Sequence, residues 1–264
     1  MISATIAAAL YLLIAFLQSR RLRDAEGWAE RDFFILTGLT LLAHGYSSLG
    51  SIQTDAGINL GFFKISSLIC WMINVAFLIN LLRRPLVNLS VLLFPLSAVA
   101  VLISAFAPGN VSPFSDLPTG MLLHIGSSVL AYAVLTIAAA QAGAVAALDY
   151  QLRHRHTRGL VQLLPPLQLM ESMLFELLWV GLALLTIAIG TGMLFLDNIF
   201  AQHLVHKTAL TICAWCLFAI LLWGHHQLGW RAQTAVKFTL AGFAVLMLGY
   251  FGSKLVLELI LEKV

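Results

Sequence analysis

Residues 120–149 read GMLLHIGSSVLAYAVLTIAAAQAGAVAALD, an apolar run whose single formal charge, Asp149, stands at its end. Coiled as a helix it would extend about 45 Å at 1.5 Å per residue, beyond the roughly 30 Å hydrocarbon core of a bilayer. The run is continuous rather than alternating, which disfavours the ten-residue alternating strands of a membrane barrel. Its natural solvent is lipid, and its surplus length predicts a helix that protrudes.

Seven further runs lie on either side, near 2–19, 33–50, 62–82, 86–106, 174–196, 207–226 and 234–260. Of the 264 residues, 60% are hydrophobic and 10% charged, against roughly 45–50% and about 25% in soluble proteins. One water-soluble core of that composition would leave too few polar residues to cover it, so a soluble enzyme is excluded. The expectation is an all-α polytopic membrane helix bundle of about eight transmembrane helices. It forms a single integral membrane domain over 1–264, without internal repeat, linker or sizeable extramembrane part. Glycine and proline usage is ordinary, and three cysteines cannot frame a disulfide scaffold. A dispersed net charge of +3 gives no reason to expect nucleic acid; the expected partner is membrane lipid.

Basic residues set the orientation. With the N-terminus outside, eleven of the fifteen lysines and arginines fall in inner segments, among them Arg20, Arg21, Arg83, Arg84, Arg153 and Arg231, while Lys64, Lys207, Lys254 and Lys263 lie outside. The first run has no basic leader and reads as a retained helix rather than a signal peptide. Both termini are then expected outside, with outer connections at 51–61, 107–119 and 197–206. In the inner segment 153–173, Leu167, Met170, Glu171 and Leu174 recur at helical spacing. That spacing fits either an interfacial approach to the sixth span or the frayed start of the span itself.

Eight histidines stand out in a chain with so few charges, and polar side chains are costly in lipid. His124 lies one turn inside the outer end of the fifth span, and Ser128, Tyr132 and Thr136 follow at four-residue steps on the same face. His44 lies in the outer half of the second span, and His203 and His206 stand just before the seventh. Two imidazoles from different helices on one side of the membrane are what axial ligation of a haem iron needs. Each of these residues also has an ordinary reading, as a helix-end or interhelical hydrogen bond or a solvated loop residue. His225 and His226 close the seventh span on the inner side, within LLWGHHQLGWR at 221–231. From His206 to His225 is 19 residues, or about 28 Å of helix, so one helix carries imidazoles at both membrane faces. The same inner cluster also fits an aromatic and basic interfacial anchor.

Cys213 and Cys216 fall near the middle of an apolar helix, where the thiolate is disfavoured, and they read as small buried packing residues, as does Cys70. Gly190-Thr191-Gly192 reads as a close helix contact. No paired acid and base, phosphate loop or Ser-His-Asp order is present, so no enzymatic activity is expected beyond a part in a haem-attachment machinery.

The run 121–133, MLLHIGSSVLAYA, resembles the histidine-bearing helix of the CcsA/ResC-type cytochrome c assembly proteins, the haem-handling family. Further pieces follow in family order: Leu185-Thr186 with Ile189-Gly190-Thr191-Gly192, then Leu222-Trp223-Gly224-His225 leading to Gly229-Trp230, then Tyr250-Phe251-Gly252. The chain is similar to the compact YpjD- and HemX-like branch, with a family-like core over about 62–260. The resemblance implies a multi-pass protein of the bacterial inner membrane that binds or hands on haem in cytochrome c biogenesis, with cytochrome c maturation components as partners. It implies haem b as cofactor, His124 as an outer iron ligand and His225 as an intramembrane one. His44, His206 and Tyr132 complete the expected cofactor-binding set. Two family features are missing: the tryptophan-rich WWD segment, replaced here by 195–207, FLDNIFAQHLVHK, and a second outer histidine near the end of the eighth span. His203 or His206 is the substitute ligand that the sequence offers. A non-haem structural or regulatory subunit of another membrane complex is the competing expectation, with a small-ion permease behind it because no span carries a mid-membrane charge.

Overall fold

The structure, a computed structural model, describes residues 1–24, 29–54, 57–81, 87–107, 118–155, 164–195 and 205–252. Within them stand eight helices long and apolar enough to cross a membrane, as the composition requires. Their α-helical parts are α1 (Ile2–Asp24), α2 (Glu30–Ile52), α3 (Phe62–Leu81), α4 (Ser90–Phe106), α5 (Thr119–Arg153), α6 (Leu167–Phe195), α7 (Val205–Leu228) and α8 (Ala232–Met247). A short 3-10 turn, Val87–Leu89, leads into α4, and a π turn, Leu248–Gly252, continues α8. A two-residue hairpin, Gln53–Thr54 against Gly57–Ile58, closes the connection after α2.

The expected surplus length of the fifth span is present, since α5 is 35 residues long. The sixth helix begins at Leu167, so the apolar positions from Leu167 to Leu174 are its first turns and not a separate interfacial segment. Residues 253–260 of the expected eighth span lie outside the described residues.

The helices fall into two compact units, Met1–Asp116 and Leu117–Val264. In the first, α1 packs on α2 and α4, and α3 closes the ring between them. Phe94 is its centre, with the rings of Tyr11, Phe33 and Phe77 around it at 5.1, 6.2 and 6.1 Å. Gly45 lets α3 approach α2: a Cβ there would press on the Trp71 indole, whose Nε1–H donates to the Leu41 carbonyl.

In the second unit α5 packs antiparallel on α6, α7 lies on α6 and α8, and α8 returns to α5. Small residues make the α5 face close-fitting, with Ala131, Ala133, Ala138 and Ala142 fully buried. Gly181 on α6 admits the Leu135 side chain, and Gly120 admits Phe195. Further along, the Gln141 amide donates to the Met170 carbonyl at 3.1 Å. These contacts fix the register, and they leave the start of α5 beside the end of α6.

Candidate functional site

At the α5 start of the second unit, the Nδ1 of His124 lies 2.8 Å from the Ala188 carbonyl on α6. A carbonyl can only accept, so the proton is on Nδ1 and the Nε2 lone pair is left for another partner. The imidazole is half-buried. α7 brings Lys207 to the same end, close enough to act on His124 electrostatically. The Lys207 ammonium stands 4.7 Å over the Tyr250 ring, and Tyr250 is 5.3 Å from the ring of Tyr132. Tyr132 is buried two turns below His124, where its hydroxyl donates to the Leu246 carbonyl at 2.9 Å. That carbonyl sits where α8 widens into the π turn, a departure from regular helix that often accompanies functional sites. The expected polar stripe on α5 is thus partly turned inward on its own helix, since the Thr136 hydroxyl donates back to the Tyr132 carbonyl at 2.7 Å.

The opposite end of the unit is built by the turn between α7 and α8. Gly229 takes φ +65°, a left-handed conformation that suits glycine, and reverses the chain. Gly224 has no side chain because the Trp230 indole lies against it; a Cβ would overlap the ring. The Trp230 carbonyl then faces back and accepts the Nδ1–H of His225 at 2.8 Å. His225 therefore has the same tautomer as His124, with Nε2 as the free acceptor. One face of its ring is stacked on Phe175 of α6, centroids 3.5 Å apart. Glu171 completes this end by accepting the Ala232 N–H at 2.7 Å, which caps α8.

The two ends hold His124, Tyr132 and Lys207 at one level and His225 at the other. His44 belongs to the first unit, fully buried, with Nδ1 3.0 Å from the Tyr11 hydroxyl and Nε2 3.1 Å from Ser67 Oγ. Both of its nitrogens are thus in interhelical hydrogen bonds. His206 is exposed in the first turn of α7, and His203 lies outside the described residues. Among the described residues no three His, Cys, Asp or Glu side chains gather around a common point. Cys213 and Cys216 are exposed rather than packed inside, because α7 turns that face away from α6 and α8; this corrects the expectation of burial. A Cβ on Gly190 would meet open space, so that glycine is not a close helix contact.

The sequence marked Lys207 only as an outer charge and Tyr250 only as part of a family string; their placement beside His124 comes from the fold. Phe175 and Glu171 carried no signal beyond helical spacing.

Comparison with known proteins gives a consistent result. The family model described as Cytochrome C assembly protein matches residues 34–261. The chain is 33% identical over 241 residues to the inner membrane protein YpjD of Escherichia coli, covering 90% of this chain and 91% of that protein. It is 32% identical over 141 residues to an uncharacterized 28.8 kDa protein of Azospirillum brasilense, about half of each chain. No solved structure gives a significant match.

Proposed function

The chain belongs to the cytochrome c assembly protein family, and from that premise we propose that it binds haem b within its second unit and serves haem handling in cytochrome c biogenesis. It is a multi-pass protein of the bacterial inner membrane. Both termini lie on the outer side in this reading, which puts His124 at the outer face and His225 at the inner one.

One observation carries the proposal. Two imidazoles, one near each end of the unit, are held by backbone carbonyls through Nδ1–H, leaving Nε2 to a metal. This is the arrangement by which proteins orient histidine ligands, since the hydrogen bond fixes the tautomer and raises the basicity of the other nitrogen. The donor set fits a haem iron, whose usual protein ligand is a neutral imidazole. His124 would hold it at the outer level and His225 at the inner one. Lys207 supplies a cation for a haem carboxylate beside His124, and Tyr132, Tyr250 and Phe251 supply an aromatic wall. Bound haem supplies the porphyrin vinyl groups that cytochrome c maturation joins to protein thiols. The chain's own residues bind it, orient it and shield it from water. His44, with both nitrogens engaged, is not offered as an iron ligand, and exposed His206 is given an auxiliary place beside the outer site.

Titrating the detergent-purified protein with haemin tests this. A saturable Soret shift that weakens in Lys207→Met is expected. A partner protein co-purifying in stoichiometric amount, with no chromophore and no haemin response, would instead favour a structural subunit.

A further inference from the structure

The first unit buries polar side chains where a membrane bundle needs none. Two turns separate Tyr11 from Gln18 on α1 and Thr37 from His44 on α2, and all four are buried. The same spacing recurs on α3, between Ser67 and Asn74, and on α4, between Ser90 and Ser97, with Ser104 two turns further on. Seven-residue spacing keeps a stripe on one face of packed helices, so all four stripes face the core. From Ser90 to Ser104 the stripe on α4 runs about 21 Å at 1.5 Å per residue, some two-thirds of a hydrocarbon core.

Hydrogen bonds join the stripes. The Tyr11 hydroxyl is 3.0 Å from His44 Nδ1, His44 Nε2 is 3.1 Å from Ser67 Oγ, and Ser67 Oγ is 2.9 Å from Ser48 Oγ. Beside Tyr11, Asn74 donates to Ser97 Oγ at 2.6 Å, and towards the other end Gln18 donates to Asn88 at 3.1 Å. Polar residues that only join helices satisfy one another. Here Gln18 Oε1, Thr37 Oγ1, Asn74 Oδ1 and Ser104 Oγ are buried and find no hydrogen-bond partner among the described residues. Buried polar atoms of this kind are ordinarily paired by internal water.

His44 differs from the other two histidines in a way that matters for chemistry. His124 and His225 face carbonyls, which fix one tautomer. His44 lies between two hydroxyls, each able to donate or accept, so both tautomers are equally well bonded.

We propose that the first unit is a proton path, in which internal water pairs the orphaned oxygens and His44 relays protons between Tyr11 and Ser67. In one transfer Nδ1 takes the Tyr11 proton while Nε2 releases its own to Ser67 Oγ. Ser67 passes its original proton to Ser48, Ser48 releases its own to water beyond it, and the Tyr11 oxygen is reprotonated by water beside Asn74, which takes up the entering proton. One proton enters and one leaves, and the imidazole returns to neutrality in its other tautomer; a return flip of the ring resets it.

The test uses the full chain in liposomes of phosphatidylethanolamine and phosphatidylglycerol with a trapped pH dye, driven by a valinomycin potassium potential. Internal pH is expected to change several-fold faster than in protein-free liposomes, and His44→Phe to remove that excess. Ser67→Ala deletes one oxygen with little change in packing and is expected to slow the flux several-fold even if His44→Phe fails to fold. Flux equal to protein-free liposomes, or folded Ser67→Ala as fast as the parent, would overturn the proposal. The readout involves no haem, so it stands or falls apart from the second unit's ligands.

Discussion

The Nδ1–H of His124 donates to the backbone carbonyl of Ala188 at 2.8 Å, and this bond, between two helices, points the free nitrogen of the imidazole. Its length depends on how closely the start of α5 approaches the end of α6. Gly120 sets that approach, because a Cβ there would run into the Phe195 ring. Gly120→Ala is therefore expected to splay the two ends, weaken haemin binding at His124 and destabilise the fold by about 1–3 kcal/mol. Haemin titration and thermal unfolding in detergent read the two effects.

Gly224 plays the same part at the other end. Gly224→Ala is expected to displace the Trp230 indole and with it the carbonyl that holds His225. His225 would lose its orientation while His124 keeps its own. A haem spectrum that changes in Gly224→Ala and then responds only to His124→Ala is the expected result; an unchanged response to His225→Ala would contradict it.

Glu171 caps α8 from a neighbouring helix. Removing a capping acceptor typically costs about 0.5–2 kcal/mol. Glu171→Ala should lower the unfolding temperature in detergent, and Glu171→Gln, which keeps one acceptor oxygen, should lower it less.

Cys213 and Cys216 are exposed near the middle of α7. In a membrane that face is expected to meet lipid. A membrane-impermeant maleimide should label neither in proteoliposomes and both once the protein is unfolded in detergent; labelling in intact proteoliposomes would mean that the face lines water.

The helices were legible because lipid forces a spanning segment to be continuously apolar, and no other reading of 120–149 satisfies its backbone. Their ends were less so: Leu167 to Leu174 is apolar and helical in spacing whether or not it continues the span. The histidines were visible as polar residues in apolar runs, but their partners were not. Ala188 and Trp230 contribute carbonyls, which every residue has, and only the fold brings them to an imidazole. The polar column of the first unit escaped for another reason. Ser67, Asn74 and Ser97 carry no charge and hardly disturb a hydropathy reading, so their seven-residue spacing shows only when four helices are seen together. Cys213 and Cys216 were misjudged because composition says that a residue is in the membrane and not which way it faces.

In the proposed function His124 and His225 present Nε2 to haem iron. This ligation is tested most directly by the absorption spectrum of the detergent-purified protein loaded with haemin, compared with His124→Ala, His225→Ala and the double variant. A Soret band from the parent, altered in each single variant and lost in the double, is the expected result. A protein with no Soret band, or a band that the double variant leaves intact, would contradict it.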